Sequence, residues 1–371
     1  MALTNLDEFA IWLMTHVEKA TDDGNFLIAG YAYPPNDATG LALMVTSRRF
    51  FGEIGRLFSE EYPAQVLSLG RPLDPNQLDR LVSLHRGLRI HSLQWKEPLS
   101  DKKMAIGAIL ADMSPAHWYA RGFFLLDICE FSLRSAADQM SLRLLLDAAI
   151  RKARVSLLHN WKQAHDEAEF NLIPTGDGFY IWHKRPSRHA DSIVLALGAL
   201  TLGELQRQRW KGNDLQVRAA MTIGEVYTFP CRPVGAAARE PVLYHDAIGP
   251  ALNVAARLCS GAAPGQLLLA DFSSTRLGDK DQIRTAADLV LSATTLIGAD
   301  DFALQIKPDH RFKVVDKHGE PHYCFNVSGK VFFYTGPTRR STTVGVVPDA
   351  TPLLDPKSFS PNQTEPDNEA R

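Results

Sequence analysis

Asp127 stands at the end of an apolar run, Phe123–Leu126, in the stretch FFLLDICEFS. A run of that kind reads as a buried strand. A charge at its end is costly unless an arginine, a row of backbone N–H groups or a cation meets it. Asp177 lies fifty residues further on, between Gly176 and Gly178, in IPTGDGFYIWH. The glycines permit a tight turn and a close approach of backbone to a ligand. With a helix between them, a strand end and a hairpin turn can bring both carboxylates to one sheet edge. Paired carboxylates of that sort suit Mg²⁺ or Mn²⁺, hard cations that take oxygen ligands and keep positions open for phosphate. Two such ions per site can activate one oxygen and stabilise a departing one. Asn253 and Arg257 are four residues apart in a helical pattern and so share one face. An amide beside a guanidinium suits a sugar and a phosphate. Each residue alone has a plainer reading: Asp127 as a cap for the helix that follows, Asp177 as an exposed turn residue, Arg257 as a surface arginine.

The elements that must position these groups are legible in outline. Residues 4–20 carry apolar positions Phe9, Ile11, Trp12, Leu13 and Val17 that favour an amphipathic helix, with Thr4 or Asn5 as the cap. NFLIAGYAY and GLALMVTS read as strands and RRFFGEIGRLFSEEY as a helix. AQVLSLG reads as a strand, DPNQLDRLVSLHRG as a capped helix with Pro75 in its first turn, and LRIHSLQW as a strand. This alternation predicts a small α/β module with parallel strands over 1–115. It carries no phosphate-binding glycine fingerprint, and a sensor or interaction role suits it. Residues 97–120, with two prolines, mark the boundary, and a second domain covers 116–332. There a long helix over roughly 133–165 follows Asp127, and a hairpin turns at Gly176–Gly178. An apolar helix spans 190–210, and DLQVRAAMTIGEVYTF is a strand turning at Gly224. A helix covers about 250–260, and RFKVVDKHGEPHYCF is a second hairpin. Residues 333–371, rich in Pro, Ser, Thr and charge, read as a disordered tail.

Bulk properties exclude several classes. The chain has 371 residues, 45% apolar and 22% charged, as in ordinary globular proteins. A net charge of −2 gives no electrostatic case for nucleic acid or an anionic membrane. The four cysteines form no C-x-x-C pair and read as reduced thiols of a cytoplasmic protein. No secretion signal is apparent, and the most apolar stretch, Ile193–Leu205, is too short to span a bilayer. His318, His322 and Cys324 lie close together, but Gly319 and Pro321 between them favour a structural hairpin over a zinc site.

In this order and spacing, FLLDICEFS, IPTGDGFY, VRAAMTIGEVY and HDAIGPALNVAARL resemble the class III nucleotidyl cyclases, over about 120–328. The resemblance implies a ferredoxin-like, palm-type α/β (α+β) domain with an antiparallel-rich sheet and flanking helices. It places Asp127 and Asp177 as ligands of two Mg²⁺ or Mn²⁺ ions. It makes Asn253 the ribose-orienting residue, Arg257 the transition-state residue, and Lys313 or Lys317 the phosphate-binding lysine. The implied reaction is attack of the ribose 3′ oxygen on the α-phosphate of the same nucleoside triphosphate, with pyrophosphate leaving. The implied assembly is a head-to-tail homodimer in which one chain supplies the aspartates and its partner the Asn/Arg helix.

Two positions depart from the family pattern. Ile173, four before Asp177, stands where purine-reading members carry lysine or glutamate, and an isoleucine offers a base edge neither donor nor acceptor. Asp246, seven before Asn253, keeps the acidic form of adenylate-type enzymes. With the purine-reading pair half missing, the chain resembles the divergent Pycsar cyclases of bacterial anti-phage defence, which make cyclic UMP or cyclic CMP for a downstream effector. Adenylate or guanylate cyclisation is the alternative. Glu130 replaces a glycine expected near the triphosphate, where it either finds a salt-bridge partner or lowers activity. It motivates a competing reading as a catalytically degenerate dimeric scaffold. A diguanylate-cyclase-like enzyme is disfavoured, because Thr175–Phe179 only echoes the G-G-[DE]-E-F signature.

Overall fold

The computed structural model describes residues 5–21, 26–50, 66–68, 72–160, 169–184, 187, 189–209, 215–231, 244–276, 279–298, 302–306, 311–316, 318–335 and 338–345. In chain order these form α1 (Asn5–Ala20), β1 (Phe26–Ala32), β2 (Gly40–Ser47), β3 (Val66–Ser68), α2 (Pro75–Leu84), β4 (Leu88–Gln94), α3 (Lys103–Asp112) and β5 (Ala116–Ile128). Next come α4 (Ala136–Asn160), β6 (Phe170–Pro174), β7 (Gly178–His183), α5 (Ala190–Arg209), β8 (Val217–Cys231), β9 (Tyr244–Ile248), α6 (Pro250–Gly261) and β10 (Leu267–Ala270). The last are β11 (Ser273–Arg276), β12 (Asp279–Thr285), α7 (Ala286–Ile297), β13 (Phe302–Gln305), β14 (Arg311–Val315), β15 (Pro321–Asn326), β16 (Ser328–Thr335) and β17 (Thr338–Val344). Among the described residues no helix is long and apolar enough to cross a membrane.

The chain divides into two compact units, residues 1–119 with 226–248, and residues 120–225 with 249–371. In the first, α1 buries Phe9, Leu13 and Val17, one per helical turn, against Ile28, Leu41, Leu43 and Leu93 of its sheet. Asp74 and Gln77 cap α2 reciprocally and Pro75 opens it, as its sequence predicts. The strand directions do not follow the sequence expectation. The sheet order is β1-β2-β4 and both pairings are antiparallel, not parallel. The reason is the β1–β2 connection. It turns through Pro34–Asp37, where the Asp37 N–H donates to the Pro34 carbonyl at 3.2 Å. A parallel pair needs a crossover of a dozen residues or more. The helix expected over RRFFGEIGRLFSEEY lies mostly outside the described residues. Residues 226–248, which the sequence assigns to the second domain, belong to the first unit, where the end of β8 pairs with β9.

The second unit has the expected fold class: an antiparallel-rich sheet with flanking helices. The sheet runs β14-β15-β10-β8-β5-β7-β6, in which β10 and β8 pair in parallel and β14–β15, β10–β15, β5–β7 and β6–β7 pair antiparallel. The order β8-β5-β7-β6, with α4 between β5 and β6 and α5 between β7 and β8, is the split β-α-β-β-α-β arrangement of ferredoxin-like domains. The strand β5 reads as an unbroken apolar run because Phe123–Leu126 are buried. The core gathers Leu146, Ala149, Ala153 and Leu157 of α4 around α5, whose Ile193–Leu200 segment is buried almost all round. A helix apolar on every side must lie between layers.

The tail expectation is corrected over 338–344. Those residues form β17, antiparallel to β16, in a sheet ordered β13-β16-β17. Composition hid a period-two pattern: Thr342 and Val344 are buried while Ser341 and Thr343 face solvent. Of the rest of the expected tail, 333–335 likewise form strand, at the end of β16, and 345 follows β17, while 336–337 and 346–371 lie outside the described residues.

A buried ionic group pins β5 to α5. Asp191 accepts from the Gly122 N–H at 2.8 Å and from Arg284 Nη1 at 3.2 Å, and Arg284 also donates to Ser192 Oγ. Arg121, 3% exposed, has its guanidinium pulled down to about 10 by burial, with Asp191 opposing the shift. Removing one partner of a buried pair leaves an uncompensated charge. Asp191→Ala is therefore expected to lower stability by about 3–5 kcal/mol, measured by urea denaturation.

Candidate functional site

The ladder between β5 and β7 sets Asp127 directly opposite Gly178. The turn between β6 and β7 is closed by the Thr175 N–H donating to the Gly178 carbonyl at 3.0 Å. Gly176 adopts φ +92°, a conformation that favours glycine. The Ile128 N–H donates to the Asp177 carbonyl at 2.9 Å, which ties the turn to the residue just after Asp127. Gly178 has a steric reason to be glycine: a Cβ there would lie 1.8 Å from the Leu126 carbonyl oxygen. Arg143 of α4 fastens the same turn. Its guanidinium lies 3.5 Å from the centroid of the Phe179 ring and donates to the carbonyls of Gly176, at 3.3 Å, and of Gly178.

These constraints place the Asp127 and Asp177 carboxyls side by side, close enough to interact directly. Burial pushes the Asp127 carboxyl above its usual range. Arg218, whose Nε donates to Asp127 Oδ2 at 2.7 Å, opposes that, and the neighbouring Asp177 adds to it. Arg218 also donates to the Ser260 carbonyl at 3.1 Å. Sequence reading passed over Arg218, although a lone arginine within VRAAMTIG was a signal: inside a buried strand a cation needs a counter-ion. Among the described residues no group of three or more His, Cys, Asp or Glu is placed to enclose a metal ion. The aspartate pair is thus an open arrangement of two carboxylates and not a closed cage.

A second group forms on α6. Pro250 opens this helix, and Ala251, Leu252, Ala255, Leu258 and Cys259 make its buried face. Asn253 is exposed and Arg257 half-buried, on one side of the helix as their spacing predicts. Gly224 of β8 leaves room for Ala251, whose Cβ would lie 3.3 Å from a Cβ on that glycine. Tyr180 of β7 donates its hydroxyl to the Leu252 carbonyl at 3.1 Å, joining α6 to the strand that follows Asp177. Burial pushes that phenol up to about 12.

Arg257 does not meet either aspartate; its Nε lies 3.3 Å from Asp316 Oδ2. Asp316 opens the β14–β15 turn and accepts at Oδ1 from the N–H groups of His318, at 2.8 Å, and Glu320, at 3.1 Å. Burial raises its carboxyl, but these N–H groups, His322 and Arg257 outweigh that and hold it below the usual carboxylate range. His322, one of the three residues weighed for zinc, faces Asp316 at 3.6 Å, while Cys324 is buried in β15. Lys313 is half-buried on β14 opposite Tyr323, and Lys317 lies outside the described residues.

Ile173 is half-buried on β6, opposite Tyr180. Asp246 belongs to the first unit, on β9 opposite Phe229, and its carboxylate accepts from the Ala247 N–H at 2.8 Å. Glu130 adopts φ +56°, the left-handed region where a glycine is free and a glutamate strained by about 1 kcal/mol. Its side chain is exposed and makes no ion pair among the described residues, so the salt-bridge expectation is not met.

No protein-family model matches the sequence, and no curated protein matches it. Solved structures similar to the chain include the adenylyl cyclase CyaB from P. aeruginosa, at 14% identity over 58% of this chain and 95% of that one, with a TM-score of 0.36. They include the guanylyl cyclase Cya2, at 14% identity over 56% and 91%, TM-score 0.37. They also include the guanylate cyclase domain of RhGC from Catenaria anguillulae in complex with GTP, at 16% identity over 57% and 97%, TM-score 0.35. At such identities and scores the assignment rests on the residues themselves.

Gly178→Ala tests the close approach of the turn. Its methyl group would displace the hairpin from β5, with an expected loss of about 1–3 kcal/mol in chemical denaturation. The double variant with Arg143→Ala should lose more than either single one.

Proposed function

We propose that the chain is a nucleotidyl cyclase that converts a nucleoside triphosphate into a 3′,5′-cyclic monophosphate and pyrophosphate. The observation that carries this reading is the juxtaposition of Asp127 and Asp177, held side by side by the Asp127–Gly178 register, with Arg218 paired to Asp127. Two oxygen-only donors in an open arrangement fit Mg²⁺ or Mn²⁺. Bound there, the ions supply the charge that acidifies a ribose 3′ hydroxyl and offsets that of the phosphates.

The chain's own residues do the rest. Arg218, beside Asp127, carries a planar fork suited to a phosphate and would present it next to the aspartates. Asn253 orients the ribose, and Arg257 takes up the charge that builds on the α-phosphate. Lys313, with Lys317, serves the departing phosphates. Aspartates and Asn/Arg helix come from opposite chains of a head-to-tail homodimer, consistent with Arg257 finding its partner in Asp316 and not in the aspartates.

The base is pyrimidine, UTP or CTP, because Ile173 offers nothing to the polar edge of a purine. A site built on hydrogen bonds discriminates poorly once one partner is apolar. The product acts in anti-phage signalling in the cytoplasm, through an effector that binds the cyclic nucleotide.

The test is product identification from a mixture of all four triphosphates with Mn²⁺. Cyclic UMP or cyclic CMP is expected. Asp127→Ala should lower the rate by more than about 100-fold, since loss of groups that merely support metal ligands costs 10–100-fold. Cyclic AMP or cyclic GMP as the main product would overturn the base assignment. No pyrophosphate from any triphosphate would leave the dimeric scaffold as the better reading.

A further inference from the structure

Arg257 is held in an unusual way for a half-buried helical arginine. One edge of its guanidinium, Nε, faces Asp316 Oδ2, while its terminal nitrogens make no hydrogen bond among the described residues. The carboxylate that holds it is itself fixed, since two turn N–H groups occupy Oδ1 and the side chain is only 7% exposed. The turn is closed by the Gly319 N–H on the Asp316 carbonyl and the Asp316 N–H on the Glu320 carbonyl, both at 3.0 Å, with Gly319 at φ +84°. An ion pair at Nε leaves the outer edge of the guanidinium, its two terminal nitrogens, open to form a bidentate fork on phosphate oxygens. A long flexible side chain gripped there also loses its rotamer freedom before substrate arrives, so less is lost in the transition state.

We propose that Asp316 is a positioning residue for the cyclisation: it clamps Arg257 so that its free edge is presented to the α-phosphate. The inference rests on the cyclase reading of Arg257. Asp316 touches no reacting atom, and its effect is on the orientation of Arg257 alone. It follows that the clamp acts on the step in which charge builds, and not on substrate binding.

Asp316→Asn keeps a carbonyl oxygen for the His318 and Glu320 N–H groups and removes the charge that grips Nε. The expected result is a kcat lower by about 10–100-fold, the range for residues that orient a functional group, with KM changed by less than about threefold. The melting temperature should stay within a few degrees of the parent. In an Arg257→Ala background, whose residual rate is measured at high enzyme concentration, Asp316→Asn should change kcat by less than about twofold, because the two residues act as a unit. An unchanged kcat in Asp316→Asn would overturn the clamp and leave the cyclase reading intact. So would an equal loss in both backgrounds, or a large fall in melting temperature, which would assign Asp316 to the stability of the hairpin. Full activity in Arg257→Ala, or no turnover by the parent chain, would instead overturn the reading of Arg257 on which the clamp depends.

Discussion

Two carboxylates side by side at the end of a buried strand repel each other, and the arrangement stands only while a cation faces them. Everything in the second unit that bears on function follows from this. The Asp127–Gly178 register forces the proximity, and Gly178 allows it by having no side chain where the Leu126 carbonyl oxygen lies. Arg143 holds the turn from α4, and Arg218 supplies the cation from β8. A fold that served stability alone would place an apolar residue at this strand end, since replacing a buried ionic cluster by packed hydrophobics is often neutral or stabilising. Under the proposed function the two acids have a rationale, since together they would hold a divalent cation.

The same logic separates the two halves of the proposed site. Within one chain Asp127 is paired to Arg218 and the α6 arginine to Asp316, so each half holds an ion pair of its own. In the proposed reading each half is nevertheless incomplete: the aspartates lack the Asn253/Arg257 pair, and Arg257 lacks the aspartates. The proposed two-fold dimer of identical chains would resolve this without any new element, bringing each half against its complement twice. Tyr180, which joins β7 to α6 through the Leu252 carbonyl, then links the acids of one site to the arginine helix of the other through a single chain.

Much of this was legible in the residues, and the misses have physical causes. The chemistry-bearing residues with strong local patterns were readable: an acid ending an apolar run, an acid between glycines, an amide and a guanidinium one helical turn apart. Strand direction in the first unit was not, because alternation of elements says nothing of pairing when a short turn such as Pro34–Asp37 intervenes. The strand at 338–344 was hidden because its buried positions alternate with Ser and Thr, and composition outweighed the period. Arg218, Arg143 and Asp316 were missed for a common reason. Each acts on a residue far away in sequence, so its role exists only once the fold has closed.

The most direct test of a cyclase built from halves in opposite chains is complementation. Asp127→Ala and Arg257→Ala chains, each inactive alone, are unfolded together, refolded as a mixture and assayed for cyclic nucleotide. A mixed dimer carries one site with both substitutions and one with neither, so random pairing should restore about a quarter of the parent activity. A mixture as inactive as its components would contradict the account.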